Sequence, residues 1–377
     1  MKLRTLDDLN FKGKSVLLRA DLNSEVVNGK VFLGDRLIES SRTIKELTRK
    51  GAKVVVIAHQ GRKGDKDFIS LKQHAKLLNR YVKVKFIDDV FGKKALGAID
   101  KLKFGEALLL ENVRFCKEEF LVEGKNKMVE ALKDKFDYFV NDAFSVSHRA
   151  QASVVCFNKN LVSAVGRLME RELKSLDRLK IEGGLFILGG AKIEEDLFLA
   201  GRGKVFTGGI VALTFMRARG MDLGKQNEIV DKNKKLFAKI RTMRKVKTPL
   251  DFAILQNGKR KEIMAEEFPI NSLALDIGKE TIKEYLSEIK RAKVIFVKGP
   301  MGYIEDKRFI EGTREILKAV ANSKAFSVIA GGHTGSTLKQ LGIDKKKFSY
   351  ISLSGGALVE YLAGKKLPGI EALRNGK

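Results

Sequence analysis

The stretch GRLMERELKSLDRLKIEGG, Gly166 to Gly184, runs directly into LFILGGAKIEED, Leu185 to Asp196. In the first part Leu168, Met169, Leu173, Leu176 and Leu179 keep a helical apolar spacing, and Gly183-Gly184 supplies a stop. The spacing predicts a connecting helix over 166–182. In the second part the apolar run Leu185 to Leu188 precedes two glycines, an alanine, a lysine and a polar helix start. That order predicts a buried strand turning sharply into a helix, a geometry that aims backbone N–H groups at an anion. Gly189-Gly190-Ala191-Lys192 is neither a Walker A loop nor a GxGxxG fingerprint, so its ligand has to be read from its neighbours.

With 377 residues the chain is too long for one ordinary core, and two domains are expected. A hydrophobic fraction of 44% and a charged fraction of 32% describe a soluble globular protein. No apolar stretch approaches the roughly 18 residues that span a bilayer, and MKLRTLDDLNFKGK lacks the apolar centre of a signal peptide, which predicts a cytoplasmic protein without membrane contact. Cys116 and Cys156 form no CxxC or Cys/His spacing, excluding a disulfide framework and arguing against a zinc site. The net charge of +27 invites a nucleic-acid reading, because a basic surface attracts polyanions without sequence specificity. The excess is spread over both halves, however. Its densest run, Lys225 to Lys247, has one interleaved aromatic, Phe237, and no zinc-finger or RRM pattern. It reads as a solvated basic helix, with any nucleic-acid contact weak and non-specific.

In the first half, short apolar strands (Ser15 to Ala20, Lys53 to Ala58, Val84 to Ile87, Ala107 to Leu110, Tyr138 to Val140) alternate with helical stretches. This predicts a parallel α/β sheet, whose ligands sit beyond the carboxyl ends of the strands. Those ends carry Asp21 and Asn23, then His59 and Arg62, then Glu111 and Arg114, then Asn141, Asp142 and Arg149; Arg36 stands before the first helix. A surface ion pair accounts for any one arginine but not for the set. Guanidinium forks converging on one crevice suit a small ligand with several negative charges. His74 and His148 read as packing or hydrogen-bonding residues.

In the second half the strand ends become glycine pairs: Gly189-Gly190, Gly208-Gly209, Gly299 and Gly302, Gly331-Gly332 and Gly355-Gly356. Glycine lets a ligand approach the backbone, and each pair is expected to open a helix whose free N–H groups face the crevice. Repeated along one edge, such turns describe a nucleotide cradle.

Through VLLRADLN, AHQGR, LLLENVRF, YFVNDAFSVSHRAQAS, LMERELKSL, LGGAK, GPMG and LAGKKLPGIEAL the chain resembles the phosphoglycerate kinases over essentially its whole length. The resemblance implies two doubly wound parallel-sheet, Rossmann-like α/β domains facing across a cleft and joined by a hinge helix. Residues 1–165, with 364–377 returning to them, would hold 3-phosphoglycerate or 1,3-bisphosphoglycerate. Residues 166–182 would be the hinge, and 183–363 would hold ATP or ADP with Mg2+. Carried over position by position, the acidic-substrate site falls on Asp21, Asn23, Arg36, His59, Arg62, Arg114 and Arg149. The nucleotide side falls on Lys192 for the phosphates, Gly208 and Gly209 beside the adenine, Glu305 for the ribose, and Gly331, Gly332, His333 and Thr334 at a phosphate-facing helix start. Arg36 and Lys192 would carry the catalytic charge work, in a monomeric enzyme.

Departures from the family pattern collect on the nucleotide side. Asp196 stands where a second lysine is usual, His333 where an aspartate contacts magnesium, and Lys298 where asparagine precedes GPMG; Ser24-Glu25 and Leu353-Ser354 replace Val-Pro and Thr-Gly. Asp196 is therefore expected to supply the missing metal carboxylate, with Lys298 restoring a cation, or else to pair with Lys192 one turn away or lie solvated. The alternatives to the kinase are a catalytically weakened member of the fold whose basic surface binds nucleic acid, and a kinase for a related phosphorylated acid.

Overall fold

The computed structural model describes residues 3–178, 183–201, 203–331 and 334–376. The chain divides into two compact units, Met1–Lys174 with Lys365–Lys377, and Ser175–Gly364.

Unit 1 is built on a six-stranded sheet of β1 (Ser15–Arg19), β2 (Lys53–Ile57), β3 (Lys85–Phe86), β4 (Ala107–Leu109), β5 (Tyr138–Asn141) and β6 (Val162–Val165). All pairs are parallel and the order is β3-β4-β2-β1-β5-β6. Successive strand residues point to opposite faces, so both faces are apolar. Val16, Leu18, Val54 and Val56 pack with Leu37, Ile44 and Leu47 of helix Asp35–Arg49. Leu17, Val55 and Ile57 pack on the other side with Ile99, Leu132 and Phe157. Because β1 sits between β2 and β5, the loops leaving β1 and its neighbours open the crevice where such sheets bind ligands. Helix Pro368–Asn375 docks into this unit, with Gly369 N–H donating to the Ser147 carbonyl at 2.9 Å.

Helix Arg167–Arg178 begins on a buried carboxylate, the Asp142 Oδ1 accepting from the amides of Leu168 (2.8 Å) and Met169 (3.1 Å). That cap satisfies helix-end donors that have no partner within the helix. Gly166 must be glycine here, since a Cβ would lie 2.3 Å from the same oxygen. The boundary between the units falls inside this helix; Leu179, expected in the same apolar stripe, lies outside the described residues.

Unit 2 repeats the plan with β7 (Leu185–Leu188), β8 (Lys204–Thr207), β9 (Val246–Lys247), β10 (Val294–Lys298), β11 (Phe326–Ala330) and β12 (Tyr350–Ser352), parallel in the order β9-β8-β7-β10-β11-β12. Here β7 is the strand at which the order reverses, so Gly189 and the residues after Lys298 flank the crevice. Tyr285 stacks on Phe206 with ring centroids 4.3 Å apart and donates to the Thr207 carbonyl at 2.9 Å, tying helix Lys279–Arg291 to the sheet.

Two features differ from the sequence reading. The antiparallel strands Asp251–Gln256, Lys259–Met264 and Ala274–Ile277 add a small second sheet, turned at Asn257 and Gly258 (φ 51° and 72°), the left-handed pair that tight hairpins favour. The basic run is not one helix but short pieces, Asn227–Val230, Asp231–Leu236 and Phe237–Arg241, before β9. Val230, Phe237 and Ile240 are buried while the lysines stay exposed. Several of the charges meet carboxylates: Lys234 pairs with Asp231 at 3.0 Å, and Lys235 with Glu194.

Candidate active site

The unit 1 cluster starts from Arg19, the last residue of β1 and wholly buried. Its Nε donates to the Ser153 Oγ at 2.9 Å, its Nη1 to the Ala20 carbonyl at 2.6 Å, and its Nη2 meets the His59 Nδ1 at 3.1 Å. Ser153 in turn donates from Oγ (2.8 Å) and N (3.0 Å) to Glu119, which is also wholly buried. A guanidinium only donates, so the His59 Nδ1 must accept and the ring proton sits on Nε2. Burial, then the charges of Arg19, Arg114, Arg36 and Arg149, hold the imidazole well below its usual range. His59 is therefore a neutral hydrogen-bond donor among cations.

The other members are fixed from the first turn of helix Asp35–Arg49 and from several loops. Arg36 lies 3.4 Å from the Asp21 Oδ2 through Nε and donates from Nη1 to the Asn23 carbonyl at 3.1 Å. The Asn23 Oδ1 accepts from Gly61 N–H at 2.9 Å, and Arg114 Nη1 donates to the Gly61 carbonyl at 2.6 Å, so the loops after β1, β2 and β4 are tied together. Arg149 donates from Nε to the His148 Nε2 at 3.3 Å. Burial, Arg19 and Arg149 push the Arg114 guanidinium down to about 10 against the pull of Glu119, while Arg149 is lowered by burial and by Arg62. Arg62 acts on Arg114 as well, so the charges of Arg19, Arg62 and Arg149 all bear on Arg114. Cations held that close favour a polyanion between them.

His74 has a structural place. The Gln60 amide is oriented by Ser24, accepting from Ser24 N–H at 2.8 Å and donating to the Ser24 carbonyl at 3.1 Å, so His74 Nε2 donates to the Gln60 Oε1 at 3.0 Å. Burial pulls this imidazole down to about 4. Because the folded value lies below that of the unfolded chain, folding is favoured most above about pH 6.5, and this contribution is lost as pH falls toward 4. Between pH 7 and pH 5 the wild type should lose about 2 kcal/mol more stability than His74→Gln, read from urea midpoints. Equal losses would mean that His74 is not buried in its neutral form.

In unit 2 the pairs Gly208-Gly209 and Gly355-Gly356 open helices as expected, but the first two glycine pairs do not present free amides. Gly189 N–H donates to the Lys298 carbonyl (2.7 Å), Gly190 N–H to Pro300 (2.8 Å), Gly208 N–H to Leu188 (2.9 Å) and Gly209 N–H to Met301 (2.8 Å), so these amides are not free for an anion. Close packing is what demands glycine here: a Cβ on Gly189 would lie 2.1 Å from the Pro300 carbonyl oxygen, and one on Gly208 2.8 Å from the Met301 sulfur. The interlocked loops floor a cavity of about 450 Å³ within the unit, lined by Lys192, Lys298, Glu195, Glu305 and Gly331 beside the apolar Ile304, Leu317 and Ile329. Gly208 and Gly209 are not among its lining residues. Thr334 opens helix Thr334–Gln340; Gly332 and His333 lie outside the described residues.

Asp196 is neither solvated nor paired with Lys192. It is 1% exposed, and its Oδ1 accepts from the Lys298 Nζ at 2.6 Å. Burial pushes its carboxyl up to about 6 against the attraction of Lys298. The short helix Ile193–Asp196 turns Asp196 inward to the end of β10, which a one-turn spacing from Lys192 does not reveal.

A family model for phosphoglycerate kinase matches residues 6–365. The chain belongs to the phosphoglycerate kinase family. The phosphoglycerate kinase of Methanothermus fervidus is 39% identical over 403 residues, covering 100% of this chain and 98% of that protein. The one from Aeropyrum pernix is 40% identical over 398 residues, covering 99% and 96%. The crystal structure of phosphoglycerate kinase from Pyrococcus horikoshii OT3 superposes with a TM-score of 0.89 at 36% identity, covering 99% of this chain and 98% of that one. The phosphoglycerate kinase of Coxiella burnetii gives 0.81 at 30%, covering 100% of each. The two six-stranded parallel sheets are this family's fold, and the comparisons lend the nucleic-acid alternative no support. Membership makes the chain a phosphotransferase enzyme. Arg19, Glu119 and Ser153, which form the buried network that orients His59, and Gln60, which meets Ser24 and His74, escaped the sequence reading: an arginine closing an apolar strand run resembles a strand residue and nothing more.

Proposed function

We propose that the chain transfers the acyl phosphate of 1,3-bisphosphoglycerate to MgADP reversibly, giving 3-phosphoglycerate and MgATP. The carrying observation is the arginine cluster of unit 1, in which, besides burial, Arg19, Arg149 and Arg62 lower the Arg114 guanidinium and Arg62 lowers that of Arg149; it fits a small polyanion. Asp21, Asn23, Arg36, His59, Arg62, Arg114 and Arg149 would hold the acid. Lys192, Glu305, Gly331, Gly332, His333 and Thr334 would meet the nucleotide, above the floor that Gly208 and Gly209 support. A terminal phosphate oxygen of ADP attacks the acyl phosphorus, the bond from phosphorus to the carboxyl oxygen breaks, and the carboxylate leaves with its electron pair. The protein's work is alignment and charge stabilisation, with Arg36 and Lys192 on the transferring group.

Magnesium prefers phosphate oxygens and water and needs few protein ligands. Asp196 is bound to Lys298; the Glu195 Oε2 on the cavity wall also lies 3.2 Å from the Lys298 Nζ but makes no hydrogen bond, which fits one carboxylate contact. The ion would neutralise phosphate charge. Residues 1–165 with 364–377, and 183–363, would act as the acid and nucleotide domains of a cytoplasmic monomer. Residues 166–182 would be the hinge.

Calorimetry with 3-phosphoglycerate alone should show binding that Arg62→Ala weakens about tenfold or more while leaving ADP affinity unchanged. Absence of binding by the wild type, or equal loss of ADP, would overturn the assignment.

A further inference from the structure

We propose that Lys298 is a phosphate-binding cation of the unit 2 cavity and that Asp196 is the residue positioning it. The inference rests on reading that cavity as the nucleotide site. Lys298 closes β10, and its carbonyl accepts the Gly189 amide at 2.7 Å, so its backbone is fixed where GGAK begins. Its side chain is 6% exposed, yet it lines the cavity.

A buried ammonium is costly unless paired, and a buried pair on its own is no better than apolar packing. Lys298 Nζ lies 2.6 Å from the Asp196 Oδ1 and 3.2 Å from the Glu195 Oε2, so carboxylates occupy two sides of a group with three N–H bonds. Asp196 does not line the cavity, whereas Lys298 and Lys192 are the cations that do among the described residues. The carboxylate thus holds the ammonium from behind and leaves its remaining donor for a ligand entering the cavity. Ile304, Leu317 and Ile329, which also line the cavity, offer only apolar surface, which suits a base or sugar face and not a charge. The charged end of a nucleotide has to lie toward Lys192 and Lys298.

A structural ion pair and a phosphate contact respond differently to charge. Asp196→Asn keeps an oxygen that can accept from Lys298 while removing the neutralising charge, so ADP titrated without divalent metal, in EDTA, should bind about threefold tighter or more. Lys298→Met/Asp196→Asn removes both charges without stranding either, and should bind ADP about tenfold more weakly than wild type. Adenosine, which has no phosphate, should bind both variants within about twofold of wild type. Weaker ADP binding by Asp196→Asn, unchanged ADP binding by the double variant, or parallel losses for ADP and adenosine would each overturn the role of Lys298. The first of these needs no double variant to fold. A wild type that binds neither ADP nor adenosine would instead overturn the nucleotide site itself.

Discussion

Arg36→Ala should lower kcat by about 10³-fold while ADP affinity stays near that of the wild type. Arg36 is 21% exposed and already steered by Asp21 at 3.4 Å and by the Asn23 carbonyl at 3.1 Å, so its fork is held in place before any ligand arrives. A cation preset in this way contributes where charge develops on the transferring phosphoryl group, that is, in the transition state and not in ground-state binding. Arg36→Lys should recover little of the loss, because a point charge cannot meet Asp21, Asn23 and a phosphoryl oxygen together. Near-normal turnover by either variant would remove Arg36 from the mechanism.

Arg19→Met should cost about 3–5 kcal/mol of stability, measured by guanidinium unfolding, and should weaken 3-phosphoglycerate binding in the fraction that folds. The large figure follows from what the substitution strands. Glu119, whose carboxyl is raised by burial against the attraction of Arg19, would lose its countercharge, and Ser153 and the Ala20 carbonyl would lose a donor. His59 would also lose the contact that fixes its tautomer. Arg19→Met/Glu119→Gln should regain much of the stability, since it removes both charges, but not the affinity, since nothing then orients His59. A cost below about 1 kcal/mol for the single change would mean that the network is not coupled.

What the sequence reveals and what it hides divide along a physical line. Strand ends were readable because parallel strands are short apolar runs with sharp exits, and β1, β2, β7 and β10 all lie within a residue or two of the apolar runs that announce them. The site arginines were readable because polar residues cluster after those exits. Pairings across the fold were not: Lys298 and Asp196 are 102 residues apart, and no spacing rule joins them. Arg19 and Glu119 are hidden for the same reason, each looking like an ordinary charge until a third element buries it. The glycine pairs misled in another way. Their need for close approach was legible, but the approaching group at Gly189 and Gly208 is another loop of the protein. The hairpin turn at Asn257-Gly258 is a signal present in the sequence, but the flanking strands lack the clean alternation that would mark them as a hairpin.

The most direct test is a coupled assay of ATP formation from 1,3-bisphosphoglycerate and MgADP by the purified chain. One ATP should appear for each ADP consumed, with saturation in both substrates and the rate lowered about 10³-fold in Arg36→Ala. A chain that binds 3-phosphoglycerate and ADP yet forms no ATP would contradict it.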